Sequence, residues 1–180
     1  MASNTIYTLE AVNLFCGDAD PTSSNHLTIE DWTMPDLQAM YSDHHPGGSF
    51  VAIEFEVGVQ KLTSTFKLKG FNPQVMSLFG IGTQLKNNFT GYGLFRDKRT
   101  GTAVPAMAVM EGRLGKVTAD QFKRGDSIGH SYSINEITHY ELHFNDNEMY
   151  FWDFWTNTYR VNGVDQNADL NRILSVPNVQ

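Results

Sequence analysis

Three side chains on one short stretch are the first candidates for chemistry. His139, Glu141 and His143 alternate along THYELHF, so in an extended strand they point to one side. Imidazole and carboxylate are metal ligands, and an H-x-H pair can share one ion. Three successive same-face positions span further than a single ion reaches, so the stretch reads as a polar, solvated strand face. Asp43, His44 and His45 precede Pro46-Gly47-Gly48. Adjacent histidines diverge in an extended chain and chelate poorly, which leaves a loop. The run from Asp18, DADPTSSNHLTIED, opens like a calcium loop. Ser23 stands where the turn glycine belongs, however, and Ile29 where the bidentate glutamate belongs. Arg124-Gly125-Asp126 reads as turn chemistry, and Asn88-Phe89-Thr90 matches a glycosylation acceptor on a chain with no export signal. Cys16 has no convincing base near it and reads as a small buried hydrophobe. No nucleophile elbow, P-loop or dinucleotide fingerprint is present. These residue types call for no catalytic residue, no metal and no cofactor.

Composition narrows the partners. The 180 residues are 41% hydrophobic, 12% aromatic and only 18% charged. A chain poor in charge and rich in aromatics has the make-up of one that hides surface in an oligomer. The formal net charge is −7, with 13 Lys and Arg against 20 Asp and Glu. Gripping nucleic acid needs a basic face, so phosphate should be repelled rather than held. One cysteine excludes an intrachain disulfide. The opening residues lack a basic and apolar leader, and no run reaches spanning length, so the expectation is a chain folded in a reducing cytosol without membrane insertion.

The elements that must position these groups are mostly strands. Val51, Ile53, Phe55 and Val57 alternate with Ala52, Glu54 and Glu56, predicting a strand with one buried and one acidic face. Leu62, Phe66 and Leu68 share a face opposite Lys61, Thr63, Thr65, Lys67 and Lys69, with a bend expected near Gly58. Then the period changes. In GFNPQVMSLFG, Asn72 is placed to cap, Pro73 to begin and Gly80 to stop a short helix whose stripe is Val75, Leu78 and Phe79. Asn88 to Arg96, the turn DKRTG, and Thr102 to Lys116 form a hairpin, with Pro105 marking an edge or an irregular start. A long strand from Ser127 carries Ile128, Tyr132, Ile134, Tyr140, Leu142 and Phe144 on its even positions, and Glu136 beside Ile137 predicts a bulge. MYFWDFW is aromatic on both faces, so it is either central in a sandwich or covered by a partner. In VNGVDQNADLNRIL, Gly163 supplies a left-handed turn and Asp165 a helix cap, Ala168, Leu170, Ile173 and Leu174 an apolar side, and Pro177 limits extension. The fold class is therefore mainly β, a sandwich or barrel in one domain (1–180), with one short internal helix and one terminal helix. The segment from Asp36 to Gly48 is the least core-like and reads as an arm.

The order of these features resembles the major tail tube protein of contractile-tailed bacteriophages, also represented in R-type bacteriocins. The resemblance rests on Asn13-Leu14-Phe15, a strand ending near Trp32, Met34-Pro35-x-Leu37, the Gly47-Gly48 pair, and VAIEFEVGVQKLTSTFKLKGFNP. It continues through MEGRLGKV, KRGD and the closing VNGVD with its helix, and so covers nearly the whole chain.

What the resemblance implies is a structural virion protein and no enzyme. Six subunits form a ring, and rings stack into a tube inside a contractile sheath. Strands of all subunits close a barrel through which DNA passes. An extended hairpin, on this sequence about Leu37 to Val57, reaches to neighbours. Its expected interface residues are Met40, Tyr41, His44, His45, Phe50, Val51, Ile53 and Phe55. A lumen that conducts DNA without binding it suits acidic side chains. The candidates are Glu54, Glu56, Glu141, Ser131 and Ser133, on three different polar strand faces. Asn162, Gly163 and Asp165 belong to the closing signature as positioning residues. Implied partners are the chain itself, the sheath, the baseplate hub and tube initiator, the terminator and a tape measure protein within, with non-specific passage of DNA. The place is the phage tail, assembled in the host cytoplasm. His44 and His45 in the arm suggest contacts sensitive to mild acid. The rival readings are a bacteriocin or type VI-like tube and, from another class, a carbohydrate-binding sandwich using Tyr150, Trp152 and Trp155 as platforms.

Overall fold

The computed structural model describes residues 4–18 and 20–176; Pro177 lies outside them. The strands are β1 (Tyr7–Cys16), β2 (Ile29–Thr33), β3 (Ala39–His44), β4 (Ile53–Val59), β5 (Ser64–Lys69) and β6 (Asn87–Asp97). They continue as β7 (Ala103–Ala119), β8 (Gly129–Phe144), β9 (Asn147–Asp153), β10 (Thr158–Val161) and β11 (Val164–Asp165). The helices are α1 (Pro73–Ser77) and α2 (Ala168–Ile173), with a single 3-10 turn at Pro21–Ser23. The protein is thus mainly β with two short helices. None of the described helices is long and apolar enough to cross a membrane.

Two long strands organise the whole. β7 and β8 pair along their length, and the sheet runs β1-β6-β7-β8-β9-β10-β11, every pair antiparallel. The first half of β8, Gly129 to Ile134, takes β5 on its other side, and β5 takes β2. The second half, from His139, takes β9 there instead. Between the halves lies the bulge expected at Glu136. Glu111 pairs with His139 and Arg113 with Asn135, so one residue of β7 faces three of β8, and Glu136 takes the left-handed φ of 49°. An extra residue bends a strand and increases its twist. Gly112 sits opposite this bend, where a Cβ would press on the Asn135 carbonyl and the Ile134 side chain. The sheet therefore folds over on itself.

The folded sheet closes on one core. Leu14 of β1, Phe89 of β6 and Met110 of β7 meet Phe66 and Leu68 of β5 and Tyr132 and Ile134 of β8, all nearly inaccessible to solvent. Phe66 stacks on Tyr132 at 4.9 Å between centroids and lies 6.3 Å from Phe89 across the layers. Trp32 of β2 packs against Gly91 of β6, where any side chain would collide with the indole. Its indole N–H donates to Ser64 Oγ (3.0 Å), whose hydroxyl donates on to the Thr33 carbonyl (2.8 Å). Ser64 is thereby fully buried with its polar atom satisfied.

Local rules explain the ends of elements. Asn72 accepts from the N–H groups of Gln74 and Val75, and Pro73 begins α1. The helix ends at Ser77, however, three residues before Gly80, because Val75 alone is buried and the chain leaves with Leu78 packed on the core. Asp97 takes the Thr5 hydroxyl and the N–H groups of Arg99 and Thr100, which fixes the DKRTG turn. Pro105 lies one residue beyond the last β7–β8 pair. Its carbonyl accepts from the Asn145 N–H in the following turn (2.9 Å), so its missing donor leaves no gap in the ladder.

Three expectations are corrected. The strand at Val51–Val57 buries neither face. β3 and β4 form a separate two-stranded sheet whose apolar side chains Ile53, Phe55 and Val57 stay exposed, because among the described residues no other element lies over them. Gly58 does not end that strand; it sits at a register shift within it, and the break comes at 60–63. The helix α2 is turned opposite to its apolar pattern. Leu170, Ile173 and Leu174 are 47%, 70% and 64% exposed, while Asn171 is 6% exposed.

Candidate functional site

The buried asparagine explains how the chain end is held. Asn157 takes a left-handed φ of 49° in the turn after β9. Its side-chain amide donates to Asn171 Oδ1 (2.7 Å), and its carbonyl accepts from the side chains of Asn171 and Asn167, both at 3.1 Å. Three amides thus satisfy one another, and that network outweighs the burial of Leu170. Upstream, Asn162 (φ 50°) and Gly163 (φ 77°) form the two-residue turn joining β10 to β11. Both central residues of such a turn need positive φ, which is why Asn-Gly suits it. Asp165 accepts from the Asn167 N–H at 2.8 Å but stands two residues before the cap position; α2 begins after Asn167, whose own side chain goes to Asn157.

The polar face opposite the core on β8, β9 and β10 carries two bonded groups of polar side chains. His139 lies between Asp153 (Nδ1, 3.1 Å) and Glu141 (Nε2, 2.9 Å), and Glu141 also reaches His143 Nε2 (3.1 Å). Burial tends to raise the Asp153 carboxyl, but the Thr156 N–H and His139 outweigh it and hold it below the usual range. Arg160 meets Glu148 with two bonds of 3.0 and 2.7 Å, which depress the Glu148 carboxyl. The Arg160 guanidinium also lies 3.6 Å over the Phe151 ring. The face is therefore half-buried and internally bonded rather than simply solvated. No trio of metal-ligating side chains among the described residues is arranged to hold an ion.

Ser131 and Ser133 lie elsewhere, on the half of β8 before the bulge. They pair across with Thr118 and Lys116 of β7 and with Lys67 and Thr65 of β5. Lys67 bridges Glu30 and Asp120 at 3.2 and 3.0 Å. Glu54 and Glu56 stand on β4, exposed. The five acidic and hydroxyl candidates are thus spread over three surfaces.

On the β3–β4 hairpin, Met40, Tyr41, Ile53 and Phe55 are exposed along the strands, and Phe50 and Val51 at the tip. Ser49 turns the tip by bonding the N–H and carbonyl of Val51, both at 3.1 Å. The His44 ring leans on Phe55 at 5.8 Å, and His45 is exposed. Tyr150 and Trp152 are half-buried, with part of their surface packed against the core, whereas Trp155 is exposed under Lys86 at 5.1 Å. Cys16 is buried, which pushes its thiol up to about 12.

Sequence reading missed the Asn157–Asn167–Asn171 network and the Arg160–Glu148 pair. The left-handed asparagine after an aromatic strand was the available signal for the first.

The geometry offers a bonded β body, an exposed apolar hairpin and no assembled reaction centre among the described residues. The model of the family described as phage tail tube protein FII matches residues 8–174. No curated protein matches the chain at significance. With 8–174 of 180 residues matched, the chain belongs to the phage tail tube family, a structural component of the virion tail that stacks with its own copies.

Proposed function

We propose that this chain forms six-membered rings that stack into the inner tube of a contractile tail, the conduit for DNA into the host. The family match over residues 8–174 carries the reading. The subunit assembles in the host cytoplasm within a sheath, between a baseplate hub and a terminator, around a tape measure protein. It works without catalysis or cofactor.

The hairpin is the arm of the assembly, with Met40, Tyr41, His44, His45, Phe50, Val51, Ile53 and Phe55 as its contact residues. Asn162, Gly163 and Asp165 act as positioning residues for the chain end. Of the polar faces, that of Glu141 is best suited to the lumen. Glu141, Glu148 and Asp153 offset the single guanidinium of Arg160, whereas Ser131 and Ser133 share their surface with Lys67 and Lys116. Phosphate slides along an acidic wall and lingers where lysine side chains stand on the surface. Electron microscopy of the purified chain tests the reading. Six-fold rings and hollow tubes are expected; a monomer persisting at high concentration would overturn it.

A further inference from the structure

The core-facing side of the main sheet runs on past its cover. Tyr140 of β8, Trp152 of β9 and Tyr159 of β10 are cross-strand partners on that side, with Tyr150 beside them. Over β5 and β8 this side is covered by the folded-over layer. At β9 and β10 it opens instead into a groove of about 960 Å³, walled by these four aromatics and by the root of the hairpin at Ala39, Gly58 and Val59. Such a volume suits a cluster of apolar side chains.

The geometry points to the hairpin tip of a second copy of this chain as the occupant, seated through Phe50. This deepens the tube reading and rests on it. Three observations support the choice. The tip is preformed: the Ser49 N–H donates to the Pro46 carbonyl (3.2 Å), and Ser49 Oγ clasps Val51, which leaves Phe50 fully exposed. The tip cannot serve its own groove, because β4 is seven residues long and holds it about 20 Å from the root. Finally, tip and groove are different surfaces of one chain. A contact between them is heterologous, repeats from copy to copy, and so builds rings or stacks rather than closed pairs. Aromatic walls around one inserted ring are the usual make-up of a contact that dominates an interface.

A crosslinking experiment on assembled full-length protein tests this. Phe50→Cys and Lys61→Cys are both exposed positions, and the buried native thiol of Cys16 does not compete. With a short thiol crosslinker, the double variant is expected to give a ladder of covalent multimers, and each single variant none. Phe50→Ser is expected to raise the protein concentration needed for assembly by about tenfold or more while leaving the melting temperature unchanged. Tubes of the double variant that give no ladder would overturn the docking site and leave the tube reading standing. Paired chains from Phe50→Cys alone would mean that tip meets tip, and would overturn it as well. A wild-type chain that never assembles would overturn both.

Discussion

The body of the subunit and its hairpin carry the same sequence pattern with opposite outcomes. In β5, Ser64, Phe66 and Leu68 alternate with polar residues and are sealed in the core. In β4, Ile53, Phe55 and Val57 alternate with Glu54 and Glu56 and stay in solvent. Alternation specifies a strand and its apolar side; it does not say what covers that side. In the body the cover is the sheet folded at Glu136. For the hairpin no described part of the subunit supplies it, and this exposed apolar strand pair is what supports the proposed interface with another copy.

Paired substitutions break or sharpen that contrast. Phe66→Ala removes a fully buried ring stacked on Tyr132, and the expected loss is about 3–5 kcal/mol, read by denaturant unfolding. Phe55→Ser, the matching change in the hairpin, should leave the unfolding midpoint within about 0.5 kcal/mol of wild type and yet suppress tube formation in sedimentation. A destabilisation by Phe55→Ser comparable to that of Phe66→Ala would mean that the hairpin packs within its own subunit. Gly163→Val forces a β-branched residue to φ 77°, at a cost of about 1–3 kcal/mol. It should lower the melting temperature and impair assembly through the body, not the arm; unaltered tubes would refute a positioning role for this turn.

The smallest effect concerns pH. The folded Glu148 carboxyl is depressed by Arg160, so it contributes stability above its unfolded value of about 4.3. That contribution is lost as pH falls through the folded value. In Glu148→Gln the term is absent at every pH. Its melting temperature should therefore fall less steeply than that of wild type below about pH 4.3. Parallel curves would mean that the pair contributes nothing.

Much of the body was legible because its signals are local. Strand periodicity from Leu62 to Leu68, the Asn72-Pro73 helix start and the bulge at Glu136 all follow from residue type and spacing. The fold class could be read in the same way, and the family through the resemblance carried by the ordered motifs. What escaped depends on contacts distant in sequence. The pattern in α2 placed Leu170 and Ile173 inward, but Asn157, far from them in the sequence, holds Asn171 there instead. The buried face expected for β4 failed for the same reason in reverse, since no distant element among the described residues comes to meet it. His139 read as part of a solvated face because its partner Asp153 lies on the next strand.

The most direct test of the central claim is amide hydrogen exchange over Ala39–Val59, measured on the dispersed subunit and on assembled tubes. The hairpin backbone should exchange fast in the subunit and become strongly protected in the tube, while β5 and β8 are protected in both. Equal protection of the hairpin in the two states would contradict the claim that its apolar face is made for another copy.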